Sequence, residues 1–181
     1  MMLFGVGSLK IFIRFTKYVL VISLIIFFLT SCVTSTDSKK TVLLTFIVAQ
    51  DLNPDVNQRP SPVAITFYQL SNSSSFRKAD YLSLAENSNA VLGRDLLAVN
   101  TLILQPGQTL TVNYPVSEHE AAFGLLAGYR VIDTSGWQLV YEYPRDKTGF
   151  WSSFNRNGIF DQKILVGKNR IQFDSSSNGS Q

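Results

Sequence analysis

The rhythm of apolar and polar residues changes along the chain, and each change predicts an element. Tyr18 to Leu29 is an uncharged, almost wholly apolar run with no alternation. From Thr41 to Gln50 the chain reads Thr-Val-Leu-Leu-Thr-Phe-Ile-Val-Ala-Gln, rich in the β-branched and aromatic residues that favour strands. Val42, Leu44, Phe46 and Val48 share one face, and Thr41, Leu43, Thr45 and Ile47 share the other. Both faces are largely apolar, which predicts a strand covered on both sides. Asp51 to Pro60 ends that pattern with an Asn-Pro turn starter and several Asx side chains. Val63, Ile65 and Phe67 then alternate with Ala64, Thr66 and Tyr68 as a second strand. Hairpin loops usually run about 2–5 residues, so this connection is long. Long loops on a rigid scaffold are where binding residues concentrate, which makes Asp51 to Pro60 a candidate contact surface. A plain solvated connector is the alternative.

Ser71 to Leu97 leaves the strand pattern and predicts one or two short helices, a helical insertion near 72–97. Ser71-Asn72-Ser73-Ser74-Ser75 offers N-caps, and Ser83 with Glu86 fits a capping box. Phe76, Ala79, Tyr81 and Leu82 form an apolar stripe, and Asn87-Ser88-Asn89 interrupts it. Strands then return. Ala98 to Leu104, a type II turn at Gln105-Pro106-Gly107-Gln108, and Leu110, Val112 and Tyr114 together predict a hairpin. Phe123, Leu125, Ala127, Tyr129 and Val131 form the next inward set. They turn at Asp133-Thr134-Ser135-Gly136 into Trp137, Leu139, Tyr141 and Tyr143, a second hairpin. Residues 144–158 are irregular and hold the aromatic Phe150, Trp151 and Phe154, for which the pattern gives no place. Phe160 to Val166, Gly167-Lys168-Asn169 and Arg170 to Phe173 make the last hairpin. Seven or eight short strands separated by turn signals predict a mainly β chain, an antiparallel β-sandwich over 41–174. A polar, disordered tail is expected at 175–181.

The unpatterned apolar run near the start has a different meaning. Lys10, Arg14 and Lys17 precede it without an acidic residue, and Thr30 and Ser31 follow it, the order of a secretory signal peptide. Tyr18 to Cys32 spans 15 residues, fewer than the roughly 20 that a bilayer-spanning helix needs. Residues 1–31 are therefore read as a removed signal. Leu29-Thr30-Ser31-Cys32 resembles the lipobox of bacterial lipoproteins, which implies cleavage between Ser31 and Cys32 and acyl chains on Cys32. Cys32 is the single cysteine and has no internal disulfide partner. Each buried methylene contributes about 0.8 kcal/mol, and lasting attachment takes more than one chain. Residues 32–40 then form a lipidated tether, whose eight residues Val33 to Lys40, all polar but the first, reach at most about 26 to 29 Å. In the lipoproteins this motif resembles, an Asp after the cysteine tends to hold the protein at the inner membrane. Val33 in that place implies the outer membrane, facing the periplasm.

Cleavage also changes the charge. Of 16 basic and 13 acidic residues, Lys10, Arg14 and Lys17 leave with the signal, so the remaining 150 residues carry 13 of each. Nothing then points to nucleic acid, which would call for a clustered basic face. That length suits one domain burying about 68–70% of its unfolded surface. Chemistry is sparse. His119 is the only histidine, between Glu118 and Glu120 in a polar connection, and no other cysteine is available as a metal ligand. No G-x-S-x-G elbow is present, and no histidine stands ready to activate a serine. No spacing ties Asp146 to Asp161 as an acid pair. Trp137 and Trp151 suit packing better than ligand stacking. Arg130 is unusual on an apolar strand and is expected to pair with a carboxylate such as Asp133 or to reach water. No catalytic residue, metal site or cofactor beyond the acyl chains is expected.

Several stretches taken together resemble one family. They are the lipobox at Cys32, Leu52-Asn53-Pro54-Asp55 with Arg59-Pro60-Ser61-Pro62-Val63, Phe67-Tyr68-Gln69-Leu70, and Phe76 to Tyr81. Gly93-Arg94-Asp95, Leu104 to Gly107, Ala127-Gly128-Tyr129-Arg130 and Trp137 complete the set. In order and spacing they resemble the TssJ family, also called SciN or VasD, the outer-membrane lipoproteins of type VI secretion. The long 144–158 segment and the long region before the signal core depart from the pattern. The resemblance implies a transthyretin-like β-sandwich with a small helical addition and no enzymatic activity. It also implies binding to the periplasmic domain of TssM, with TssL in the same complex, through the loop between the first two strands.

That loop is Asp51 to Pro60. Asn53, Pro54 and Asp55 make a constrained turn, and Gln58 and Arg59 supply an amide and a guanidinium able to make paired hydrogen bonds. A loop held by its own geometry loses less entropy on docking. Asn53, Pro54, Asp55, Gln58 and Arg59 are thus the partner-binding candidates, and changing Asn53, Asp55 and Arg59 together to Ala is expected to spare the fold. Two other classes stay open. A small-ligand carrier would need a convergent pocket with an apolar wall, and a periplasmic hydrolase would need a nucleophile within reach of a base.

Overall fold

In the computed structural model the chain divides into two units, Met1–Asp37 and Ser38–Gln181. The structure describes residue 17 and residues 40–117, 119–143 and 159–175. Ser31, Cys32, Val33, Glu118, Phe150, Trp151, Phe154 and most of the expected tail lie outside the described residues. The second unit is built from alternation. In β1 (Thr41–Val48), Val42, Leu44 and Phe46 are fully buried and Val48 nearly so, while Thr41, Leu43 and Thr45 are half-buried and Ile47 is exposed. β2 (Val63–Leu70) buries Val63, Ile65 and Phe67 against the same core. The remaining strands are β3 (Leu96–Leu104), β4 (Thr109–Pro115), β5 (Ala122–Ala127), β6 (Gln138–Glu142), β7 (Ile159–Val166) and β8 (Ile171–Phe173).

Two four-stranded sheets result, in the orders β4-β1-β7-β8 and β3-β2-β5-β6. Every pairing is antiparallel except β1 with β7, which run parallel in register from Thr41 opposite Ile159 to Val48 opposite Val166. The inward faces meet in an aromatic-rich core. Phe67 stacks on Tyr114 with ring centres 3.9 Å apart, and Phe123 packs against Tyr141, Tyr143 and Phe173. The mainly β sandwich expected from the strand count is the fold observed, with eight strands among the described residues.

Helices cover the outside of the second sheet. α1 (Ser74–Lys78) and α2 (Tyr81–Leu92) bury Phe76, Leu84 and Leu92 against Tyr68, Leu70, Ala122 and Leu126. This second layer explains why every residue of β5 is buried, whereas β1 alternates. The expectation that both faces of Thr41 to Gln50 are covered is therefore corrected, because the helices lie on the other sheet. Gly124 is the place where α1 approaches most closely. A Cβ there would stand 2.6 Å from the Phe76 ring. Gly124→Val should destabilise by about 1–3 kcal/mol through overpacking, and a urea midpoint equal to wild type would show that Phe76 does not rest on this strand.

Four further expectations change. The stretches flanking Gln105 to Gln108 do not pair as a hairpin, since β3 joins β2 and β4 joins β1. The turn itself forms, with Gly107 at φ 74° and Gln108 N–H donating to Gln105 O at 3.2 Å. Turns of this type splay the strands they connect instead of matching their twist, so the chain crosses from one sheet to the other. The N-cap of α2 is Asp80, whose carboxylate accepts from Ser83 N–H at 2.9 Å, in place of a box opened by Ser83. Leu82 is 62% exposed and outside the apolar stripe, whose buried members are Phe76, Leu84 and Leu92. Val131 is exposed because β5 ends at Ala127 and the chain bends away after it. Asn87, where an interruption was expected, has non-helical φ and ψ inside α2.

Candidate partner-docking loop

The 51–62 connection is pinned at its base before it reaches solvent. Leu52 is fully buried in the core, and Ser61 N–H donates to Leu52 O at 2.9 Å, closing the neck. Asn53 is 5% exposed and adopts φ 43°, a left-handed conformation that Asn tolerates better than most residues. Its N–H donates to Lys168 O at 2.9 Å, its Nδ2 donates to Pro62 O at 2.8 Å, and its Oδ1 accepts from Arg130 N–H at 2.8 Å. One side chain thereby joins this loop to the β5–β6 connection, and its backbone joins it to the β7–β8 turn.

Beyond Asn53 the tip is held by Asp55. Its Oδ1 accepts from the backbone N–H groups of Asn57 and Arg59 at 2.8 and 2.9 Å. Its Oδ2 accepts from Arg59 Nε at 2.8 Å and from Nη2 at 2.7 Å. Asp55 N–H also donates to Arg59 O, and Gln58 N–H to Asp55 O, both at 2.9 Å. The Arg59 backbone N–H and then its guanidinium hold the Asp55 carboxyl below the usual carboxylate range, with help from the charge of Arg130. Gln58, at φ 62°, sets the reversal, and its Oε1 accepts weakly from Lys168 Nζ at 3.5 Å. Val56 is left 94% exposed at the apex.

The structure thus gathers Asn53, Pro54, Asp55, Gln58 and Arg59 in one place but gives them unequal parts. Arg59, with a side chain 75% exposed, is already engaged by Asp55. Asn53 faces inward. The expectation that Asn53, Asp55 and Arg59 can be removed together without harm to the fold is corrected for Asn53, which is a buried joint. Arg130 is exposed and makes no ion pair among the described residues, Asp133 included; it is its backbone N–H that is engaged.

The opposite pole carries a group that the sequence pattern did not single out. Glu120 is 2% exposed, in the connection between β4 and β5. Gln69 Nε2 donates to Glu120 Oε2 at 2.8 Å and to Pro115 O at 2.6 Å, and Tyr143 O–H donates to Glu120 Oε1 at 3.0 Å. Burial raises the carboxyl from 4.5 to about 7, against the hydrogen bonds, which favour its charge. The available signal was Gln69, a polar residue inside the strand end Phe67-Tyr68-Gln69-Leu70, since a buried amide needs a partner. His119 beside it is exposed, as expected. A cavity of about 490 Å³ at this pole is lined by Asn72, Ser73, Ser74, Ala121, Ala122, Glu142 and Tyr143. Ser73 O–H donates to Glu142, which also pairs with Arg77 at 3.2 Å. This polar wall is unlike the apolar one a small-ligand carrier would need. Among the described residues no three metal-ligating side chains stand together, and no helix is long and apolar enough to cross a membrane.

The family model described as "Type VI secretion lipoprotein, VasD, EvfM, TssJ, VC_A0113" matches residues 40–172. The chain belongs to the TssJ family. Among solved structures it is similar to the T6SS lipoprotein TssJ1 from Pseudomonas aeruginosa, at 26% identity and a TM-score of 0.66, over 75% of this chain and 95% of that one. It is also similar to Serratia marcescens Lip, a membrane bound component of the type VI secretion system, at 22% identity and a TM-score of 0.68, over 76% and 97% of the two chains. A chain in the structure of the T6SS protein TssM C-terminal domain (869–1107) from EAEC matches at 22% identity and a TM-score of 0.56, over 75% and 98%. The last two likenesses, at their identity, show the fold. Among curated proteins none matches the sequence. Family membership makes this chain a type VI secretion lipoprotein, and its TssJ-like domain is the eight-stranded sandwich with its helical cover.

Proposed function

We propose that this TssJ-family lipoprotein is anchored in the outer membrane by acyl chains on Cys32, faces the periplasm, and holds the periplasmic domain of TssM. It would thereby tether a complex that also includes TssL. Its work on this reading is binding and anchoring, with no catalytic step. The observation that carries the proposal is the placement of the docking loop. Lys40 enters β1 at one end of the sandwich, where its carbonyl accepts from Val116 N–H, and the self-bonded tip Asp55 to Arg59 follows the other end of the same strand. The family and the likeness to a chain in a TssM structure support the choice of partner.

The anchor has its own test. Cys32→Ser should abolish incorporation of radiolabelled palmitate and leave the precursor uncut or the protein soluble in the periplasm. Label on the variant would overturn the lipidation at Cys32. Val33→Asp should shift the protein toward the inner membrane on fractionation, and an unchanged distribution would remove the sorting argument.

A further inference from the structure

We infer that the docking surface is a platform of three connections, in which Val56 and Val131 supply the apolar contact and Arg130 and Lys168 a basic border. Such a surface fits a partner face that offers an apolar patch edged by carboxylates. The inference rests on the reading that Asp51 to Pro60 holds TssM, and it adds the chemistry of that contact.

Asn53 makes the platform one body. Buried to 5% exposure, it bonds the β1–β2 loop to Arg130 N–H in the β5–β6 connection and to Lys168 O in the β7–β8 turn. A partner seated on the first loop therefore meets fixed neighbours from the other two. Val56 directly follows Asp55 and is 94% exposed; Val131 directly follows Arg130 and is 59% exposed. Each follows a residue whose backbone N–H is tied, Asp55 to Arg59 O and Arg130 to Asn53 Oδ1, so little ordering is needed when a partner covers them. An apolar side chain left this open gives the fold nothing, whereas covering it contributes to association.

The charges divide in the same way. Arg59 is matched by Asp55 inside the loop. Arg130 shares that one carboxylate from a greater distance, and Lys168 reaches only the neutral amide of Gln58. With Arg170, the described residues of these connections carry four cations against the carboxylates of Asp51, Asp55 and Asp133. Arg130, which precedes Val131, and Lys168, which reaches the loop that carries Val56, form no ion pair with a carboxylate among the described residues. Exposed charges at the edge of an interface act mainly on association rate and on salt dependence.

Calorimetric and kinetic titration of the full-length protein in detergent with the purified periplasmic domain of its own TssM tests this. Val56→Asp and Val131→Asp should each weaken binding by about tenfold or more. Arg130→Glu and Lys168→Glu should slow association and flatten its dependence on salt. All four positions are exposed, and melting should match wild type; Val131→Ser repeats the Val131 test if the Asp variant melts early. Wild-type binding by the Val131, Arg130 and Lys168 variants, with Val56→Asp impaired, overturns the platform and leaves the loop reading intact. Wild-type binding by Val56→Asp and by Arg59→Ala overturns the loop reading, and the platform with it.

Discussion

Relative to wild type, Glu120→Gln should gain roughly 3 kcal/mol of stability as the pH is raised from about 4 to about 8.5. The folded protein holds the proton of Glu120 until about 7, while the ordinary value is 4.5. Between these values the unfolded chain releases its proton and the folded protein keeps it. The contribution from this group is thus fully present below 4.5 and is lost as the pH rises through about 7. Burial causes the effect, because an ionised carboxyl in the β4–β5 connection has Gln69, Tyr143 and the Ser117 N–H to face and no cation among its hydrogen-bond partners. A neutral amide keeps an acceptor for one of these donors and has no charge to desolvate. Asp55 and Asp80, both held low, act in the opposite direction at lower pH and cancel in the comparison. Urea unfolding of both proteins across the range is the measurement, and a constant difference would mean that Glu120 ionises in the fold without penalty.

Asn53→Ala should destabilise by about 2–4 kcal/mol. It removes the side-chain hydrogen bonds to the Arg130 N–H and the Pro62 carbonyl, both part-buried and each worth about 0.5–1.5 kcal/mol. It also places a Cβ-bearing residue without a polar side chain at φ 43°, which costs roughly 1–2 kcal/mol. Asn53→Gly should recover the conformational part alone, and Asn53→Asp should keep the acceptor for Arg130 N–H while setting a carboxylate against the carbonyl of Pro62. Affinity for the TssM domain should fall with stability across the series, since the joint positions the surface without forming it. Arg59→Ala, which removes only an exposed pair, should stay within about 0.5 kcal/mol of wild type. A wild-type melting curve for Asn53→Ala would show that the three connections hold their places without it.

What the sequence made legible follows from the range of the interactions involved. Val42 to Val48 and Val63 to Phe67 were readable because alternation is local and the core sits on one side, whereas Phe123 to Ala127 is buried on both faces. The partner of each strand was less readable. Leu104 and Thr109 flank a well-marked Pro-Gly turn, yet the turn sends them to different sheets, an outcome fixed by the end of β1. There Gly107 N–H donates to Ala49 O and Val48 N–H donates to Gln108 O, and so hold the returning chain beside β1. Asn53 was visible as a turn former, but its burial depends on Pro62 and on Arg130, nine and 77 residues away. Glu120 read as one of several polar residues in a loop, because only the convergence of Gln69 and Tyr143 encloses it. Tyr68 and Leu126 would have counted as outward-facing until the helices were laid over them.

The central place of β1 has a mechanical consequence. The strand has β4 on one side and β7 on the other along its length, with Lys40 at its start and the 51–62 loop after its end. A pull between a membrane anchor and a bound partner would run along this strand, so its bonds to both neighbours would be loaded together in shear instead of parting one by one. Single-molecule pulling through Lys40 and Asp55 should need more force than pulling across the sheet, because forced rupture follows the barrier to unfolding. Equal forces in the two directions would remove the idea. If the difference is found, β1 is the tie-rod of the domain, set in line with the load.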